Sequence, residues 1–214
     1  MKEKSFSAKV ISIVLALAIL IACVPMAVSA NTASIRFGVV SDIHYYPDSL
    51  KGGYDDEWKT FLKNKHKEYD ENDSLLDNAL DGIMRNAVED GATYVLVPGD
   101  LTKDGELEGH KALAEKFKAF EEETGIPVFV IPGNHDVNNT NACTFENGVK
   151  ETAEPTSPEQ FREIYADFGY DEADSVFVPE EGDKGGMLSY ALTLGEYRLI
   201  AIDSCMYRDR KSVV

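Results

Sequence analysis

Between residues 34 and 136 two rhythms of apolar positions alternate. Short, nearly continuous runs, S-I-R-F-G-V-V-S (34–41), T-Y-V-L-V-P (93–98) and I-P-V-F-V-I (126–131), read as strands covered on both faces. Between them the spacing lengthens to that of a helix. Leu75, Leu76, Ala79, Leu80, Ile83, Met84 and Ala87 form one stripe, predicting a helix over 74–90 that Asp73 or Ser74 caps and Gly91 ends. Leu113, Phe117 and Phe120 predict a second over 106–123, closed by Gly125. The order β-α-β-α-β predicts a parallel sheet covered by helices, an α/β fold. The polar and aromatic stretch 45–72 interrupts this order and reads as an irregular insertion, partly helical around 56–66. Beyond Asp136 the rhythm changes: 137–157 reads as a loop, 158–168 as a helix, and 188–194 with 197–203 as a hairpin turning at Gly195-Glu196. There are no repeats and there is no sign of a second domain.

Each of the three strands finishes in metal-capable groups. Asp42 and His44 follow the first, Asp100 the second, and Asn134, His135 and Asp136 the third. In a parallel sheet the C-terminal ends share one edge, so residues distant in sequence converge there. In an extended chain the i, i+2 spacing of Asp42 and His44 turns both to one side and Ile43 into the core. Gly99 and Gly133 let the backbone turn sharply beside the site. Carboxylate, amide and imidazole donors suit Mn, Fe or Zn, and a carboxylate such as Asp100 can bridge two cations. Each signal alone has an ordinary reading as turn chemistry; their joint occurrence behind three apolar strands does not.

The blocks V-S-D-I-H (40–44), P-G-D (98–100) and P-G-N-H-D (132–136) resemble, in order, the first three hallmarks of the calcineurin-like metallophosphoesterase superfamily, over roughly residues 35–203. The resemblance implies an αββα sandwich, present here as its first half plus part of the second sheet. It implies that Asp42 and His44 bind a first metal, Asp100 bridges, and Asn134 binds a second, the pair being Mn, Fe or Zn. A metal-bridging hydroxide would attack the phosphorus of a phosphomonoester or phosphodiester. His135 would protonate the leaving alkoxide, and Asp136 would orient its ring. The family's later lone His and G-H-x-H block have no counterpart, because no His follows His135. Three imidazoles expected on the metals are thereby missing, which points to a reading frame truncated at the C-terminus and to little or no turnover by this chain alone. The alternative is a non-catalytic phosphate- or metal-binding remnant of the same fold. Within enzymes, the rival is a nuclease-like or pyrophosphate-cleaving member.

Composition refines this reading. A hydrophobic fraction of 43% over 214 residues supports a packed core. The formal charge of −17 disfavours long nucleic acid as a partner and leaves a small phosphoester as the expected substrate. At the N-terminus, Lys2, Lys4 and Lys9 precede an apolar run over 10–24, and A-V-S-A (27–30) follows. This is the pattern of a secretory signal cleaved after Ala30, leaving 31–214 as the phosphoesterase domain of an exported, extracellular or cell-surface bacterial protein. L-I-A-C (20–23) offers a second reading, a lipid anchor at Cys23 and hence a membrane attachment. Cys143 and Cys205 survive cleavage; export permits their pairing and the spacing does not require it. His66 and His110 read as solvated surface residues. Tyr45, Tyr46 and Trp58 either overhang the site or simply pack the insertion. Oligomeric state is not legible.

Overall fold

The computed structural model describes residues 34–64, 74–180 and 185–206. The leader with Cys23 and Ala30, His66, and the closing residues 207–214 lie outside the described residues. In chain order the elements are β1 (Phe37–Val39), α1 (Asp55–Asn64), α2 (Ser74–Glu89), β2 (Tyr94–Pro98), α3 (Leu107–Thr124), β3 (Val128–Ile131), β4 (Cys143–Thr144), β5 (Glu151–Thr152), α4 (Pro158–Ile164), β6 (Ser175–Val176), β7 (Tyr190–Leu194) and β8 (Tyr197–Ala201).

The three apolar runs form one parallel sheet in the order β1-β2-β3, with Val39 opposite Leu96 and Val97 opposite Val130. Val95, Val97, Val128 and Val130 are buried, as a strand covered on both faces requires. β1 differs: Phe37 is 44% and Val39 60% exposed. Helix α2 follows the predicted span, with Leu80 and Met84 buried, while Ile83 at the flank of the stripe is 46% exposed. Helix α3 buries His110, Leu113, Ala114 and Phe117 and ends at Gly125 in the left-handed conformation.

The hairpin forms as the alternation predicts, β7 against β8 with Leu194 opposite Tyr197, and β6 adds a third antiparallel strand. Tyr190, Leu192 and Leu194 join the same core as β2 and β3, and the Tyr190 hydroxyl donates to the Val130 carbonyl at 2.9 Å. Two sheets thus share one core: the pattern implied the helix-covered parallel sheet, and the resemblance implied the sandwich with a second sheet.

Two stretches depart from expectation. The helix predicted over 158–168 keeps its start, where Ser157 and Gln160 form a capping box, but ends at Ile164. A wide turn over Ala166–Tyr170 follows, in which Phe168 and Gly169 leave helical geometry. The 137–157 loop contains a short ladder, Cys143–Thr144 against Glu151–Thr152. Its underside packs on α1 in a small second core of Tyr46, Leu50, Trp58, Cys143 and Phe145. No helix among the described residues is long and apolar enough to cross a membrane.

Candidate active site

The loops after β1 and β2 continue side by side beyond the sheet. Asp42 N–H donates to the Gly99 carbonyl at 3.1 Å and His44 N–H to the Asp100 carbonyl at 2.9 Å. This zipper is not an extended chain. Asp42, His44 and Asp100 have φ of 55°, 48° and 47°, the left-handed region that residues with a Cβ seldom occupy. The i, i+2 reading therefore gave the right outcome by the wrong geometry: Ile43 is buried and the two ligand candidates share a side, but through two left-handed residues. Strain of roughly 1 kcal/mol or more at each is characteristic of a functional site and must be offset by the surrounding fold.

The result is a cluster. One donor atom from each of Asp42, His44 and Asp100 lies within 4.8 Å of the others, and His44 Nε2 stands 3.8 Å from Asp100 Oδ2. Its fit to a cation rests on two further observations. The backbone at Gly133 presses so close that an added Cβ would lie 2.3 Å from Asp100 Oδ1, so the glycine reserves the space in which that carboxylate stands. The second ring nitrogen of His44, Nδ1, is buried without a hydrogen-bond partner, leaving the ring to be fixed by packing and by whatever the cluster holds. Two carboxylates and an imidazole form a hard-to-borderline donor set suited to Mn, Fe or Zn. Asn134 lies exposed on the turn after β3 that also carries His135.

His135 is fixed at both ends. Its N–H donates to Asp100 Oδ1 at 2.9 Å, and its ring meets that of His44 edge-on, centroids 4.9 Å apart. Ring Nδ1 lies 2.7 Å from the Lys103 carbonyl and 3.0 Å from Asp104 Oδ1. Both are acceptors, so Nδ1 carries a proton and Nε2 is the atom left for chemistry. The Asp104 hydrogen bond holds the pKa of the ring above its ordinary value against the opposing effect of burial. Burial alone would raise the Asp104 carboxyl; hydrogen bonds from His135 and Lys103 override it and keep the acid well below the usual carboxylate range.

The expected partner of His135, its neighbour Asp136, does something else. Asp136 is fully buried and accepts from the N–H of Gly133 at 2.7 Å, Thr102 at 2.9 Å and Leu101 at 3.1 Å, and from the Thr102 hydroxyl at 3.2 Å. It clamps the β2 and β3 loops together and does not touch the ring it was expected to aim. Consecutive side chains of this tight turn point apart, so the carboxylate that aims His135 comes from another strand end, Asp104 in G-D-L-T-K-D-G (99–105). Asp136→Ala leaves those N–H groups without their acceptor and lowers unfolding free energy by about 3 kcal/mol in denaturant titrations.

His110 corrects the surface reading. It is wholly buried, with Nε2 3.0 Å from the Asp136 carbonyl and 3.1 Å from Thr102 Oγ1, while Nδ1 lies 3.0 Å from the Tyr165 hydroxyl. Burial pushes its pKa down to about 3, so the ring is neutral in the fold. The unfolded chain takes up a proton near pH 6.5 that the fold refuses until about pH 3, so stability contributed by neutral His110 falls as pH drops through that window. The Asp136 carboxyl, raised to about 6 by burial, works in the opposite sense. Replacing His110 by Gln therefore flattens the loss of the denaturant midpoint between pH 7 and pH 4.5, isolating the histidine's share.

Both cysteines among the described residues are free: Cys143 is buried in β4, where burial raises its thiol pKa, and that of Cys205 is pushed up to about 12. Neither has the character of a nucleophile. Tyr46 stacks on Trp58 with centroids 4.0 Å apart, so these two aromatics pack the insertion.

The family model for the calcineurin-like phosphoesterases matches residues 35–203, from β1 to the end of the second sheet. The chain belongs to that family. The matched span contains every donor of the cluster as well as His135 and Asp104, so a metal-dependent phosphoesterase function and the strand-end site describe the same part of the molecule. No curated protein matches the chain significantly.

Proposed function

We propose that this protein hydrolyses a small phosphomonoester or phosphodiester, with two cations held by Asp42, His44, Asp100 and Asn134, and His135 as the acid. The observation that carries the reading is the convergence of three donors within 4.8 Å, each in a strained left-handed backbone, at one sheet edge. Bound cations supply charge neutralisation of the phosphoryl group and an acidified water. The chain's own residues do the rest. Asp100 ties the centre to the acid by accepting the His135 N–H. Asp104 and the Lys103 carbonyl hold the Nδ1 proton, so that Nε2 delivers its proton to the departing alkoxide.

The acidic chain favours a compact phosphoester over a long polyanion. Export by the leader, with 31–214 as the working domain, and the alternative anchor at Cys23 belong to the same proposal. His44 is the sole imidazole of the cluster among the described residues, so the second cation is weakly retained and turnover is slow. The test is metal analysis beside hydrolysis of a chromogenic phosphoester. Slow turnover that chelation abolishes and Mn or Zn restores is expected. Turnover indifferent to chelation contradicts the proposal, and firm metal binding without any turnover marks a non-catalytic remnant.

A further inference from the structure

A buried lysine links the aromatic insertion to the acid. Lys103 is only 4% exposed. Its backbone is pinned, N–H donating to the Tyr45 carbonyl at 3.1 Å and carbonyl facing His135 Nδ1 at 2.7 Å. Its ammonium is hydrogen-bonded to Asp104 Oδ2 and stands 5.8 Å from the ring centroid of Trp58 and 5.2 Å from that of Phe61. Both aromatics belong to α1, in the insertion after the first metal block. Trp58 is itself fixed by stacking on Tyr46 and by edge contact with Phe145. An ammonium withdrawn from water is costly, and one carboxylate with two π faces offsets that cost. The other oxygen of that carboxylate, Oδ1, faces His135 Nδ1 at 3.0 Å and accepts from Asn139 Nδ2 at 3.3 Å. A continuous chain of contacts thus runs from α1 through Trp58, Lys103 and Asp104 to His135.

We propose that Lys103 is a positioning residue through which the insertion, by way of Trp58 and Phe61, holds Asp104 and so fixes the ring of His135. This rests on the reading of His135 as the acid. It assigns the insertion a part in turnover as well as in packing: movement of α1 loosens the ammonium, then the carboxylate, then the ring. Substrate binding against the insertion would thereby be felt at the proton donor.

The test uses the full chain and begins without metal or substrate. In the wild type, nitrogen-resolved NMR of the His135 ring shows a single Nδ1–H tautomer. In Lys103→Met and Trp58→Leu the Lys103 carbonyl still holds that proton, but the Asp104 share of the hydrogen bond loosens and the Nδ1–H proton resonance moves upfield, whereas Lys103→Arg, which keeps charge and stacking, retains the wild-type position. Trp58 is the chain's single tryptophan, so its emission reports directly on the ammonium and changes in Lys103→Met. With metal restored, Lys103→Met lowers kcat about tenfold with KM within about twofold, and Lys103→Arg recovers most of the loss. An Nδ1–H resonance unmoved in both Lys103→Met and Trp58→Leu overturns the proposal. Trp58→Leu leaves both charges in place and decides the matter should Lys103→Met fail to fold. Absence of turnover in the wild type sinks the hydrolytic reading alone, since the Nδ1–H resonance still decides the role of Lys103.

Discussion

Asp100→Asn lowers the affinity of the strand-end cluster for a divalent cation about a thousandfold and takes phosphoester hydrolysis down with it. The size follows from charge. One full negative charge removed at about 4 Å from a cation in a partly screened site costs several kcal/mol, and each 1.4 kcal/mol is a factor of ten. The substitution keeps the shape of the side chain, and the amide oxygen can still accept the His135 N–H, so fold and acid stay in place. Calorimetric titration with Mn or Zn reads the affinity, and a chromogenic phosphoester reads turnover. Loss of turnover at undiminished affinity would place Asp100 outside the cation site.

His135→Gln gives the complementary result. It lowers kcat by two to three orders of magnitude, within the usual range for a positioned proton donor, while the cation affinity changes little. The ring of His135 lies beside the cluster and is tied to Asp104 and the Lys103 carbonyl, so its loss removes proton delivery and leaves Asp42, His44 and Asp100 where they were. The split is diagnostic. Asp100→Asn loses metal and turnover together; His135→Gln loses turnover alone. The second loss shrinks for substrates whose leaving group is a weak base, such as a nitrophenolate, because such a group departs without a proton. Comparison of a nitrophenyl ester with an alkyl ester therefore reads the acid role directly, the alkyl ester suffering more.

How far the sequence reached depended on the range of the interaction. The parallel sheet, its two crossover helices and the final hairpin were legible because periodicity is a local signal reinforced by burial. The cluster was legible because sheet topology alone brings strand ends together. Side-chain partnerships inside the loops were not. Asp136 stands next to His135 in sequence, but the turn sends it into the core, and the partner of the ring is Asp104 from the neighbouring loop. Nothing local distinguishes the two, since both follow a strand and both flank a glycine turn. His110 is a different case, because the signal was present. With Leu113, Ala114 and Phe117 it falls at i, i+3, i+4 and i+7 on the buried stripe of α3, and that periodicity marks it as inward. The backbone of the D-x-H block was beyond sequence reasoning altogether. Aspartate and histidine in the left-handed region are set by the zipper to the β2 loop, a tertiary contact. The early end of the 158–168 helix has the same origin: Gly169 at φ 113° lies so close to the Tyr190 hydroxyl that a Cβ there would be 2.5 Å away.

The central claim is that Asp42, His44 and Asp100 form a cation site beside His135, and Zn titration followed by nitrogen-resolved NMR of the imidazoles tests it most directly. With four histidines in the chain the ring signals are few enough to assign by substitution. As Zn is added, a ring nitrogen of His44 shifts to the position of a metal-bound nitrogen, buried His110 keeps its tautomer, and Asp100→Asn abolishes the His44 change at the same concentration. A His44 ring unmoved at saturating Zn, or moved equally in Asp100→Asn, would contradict it.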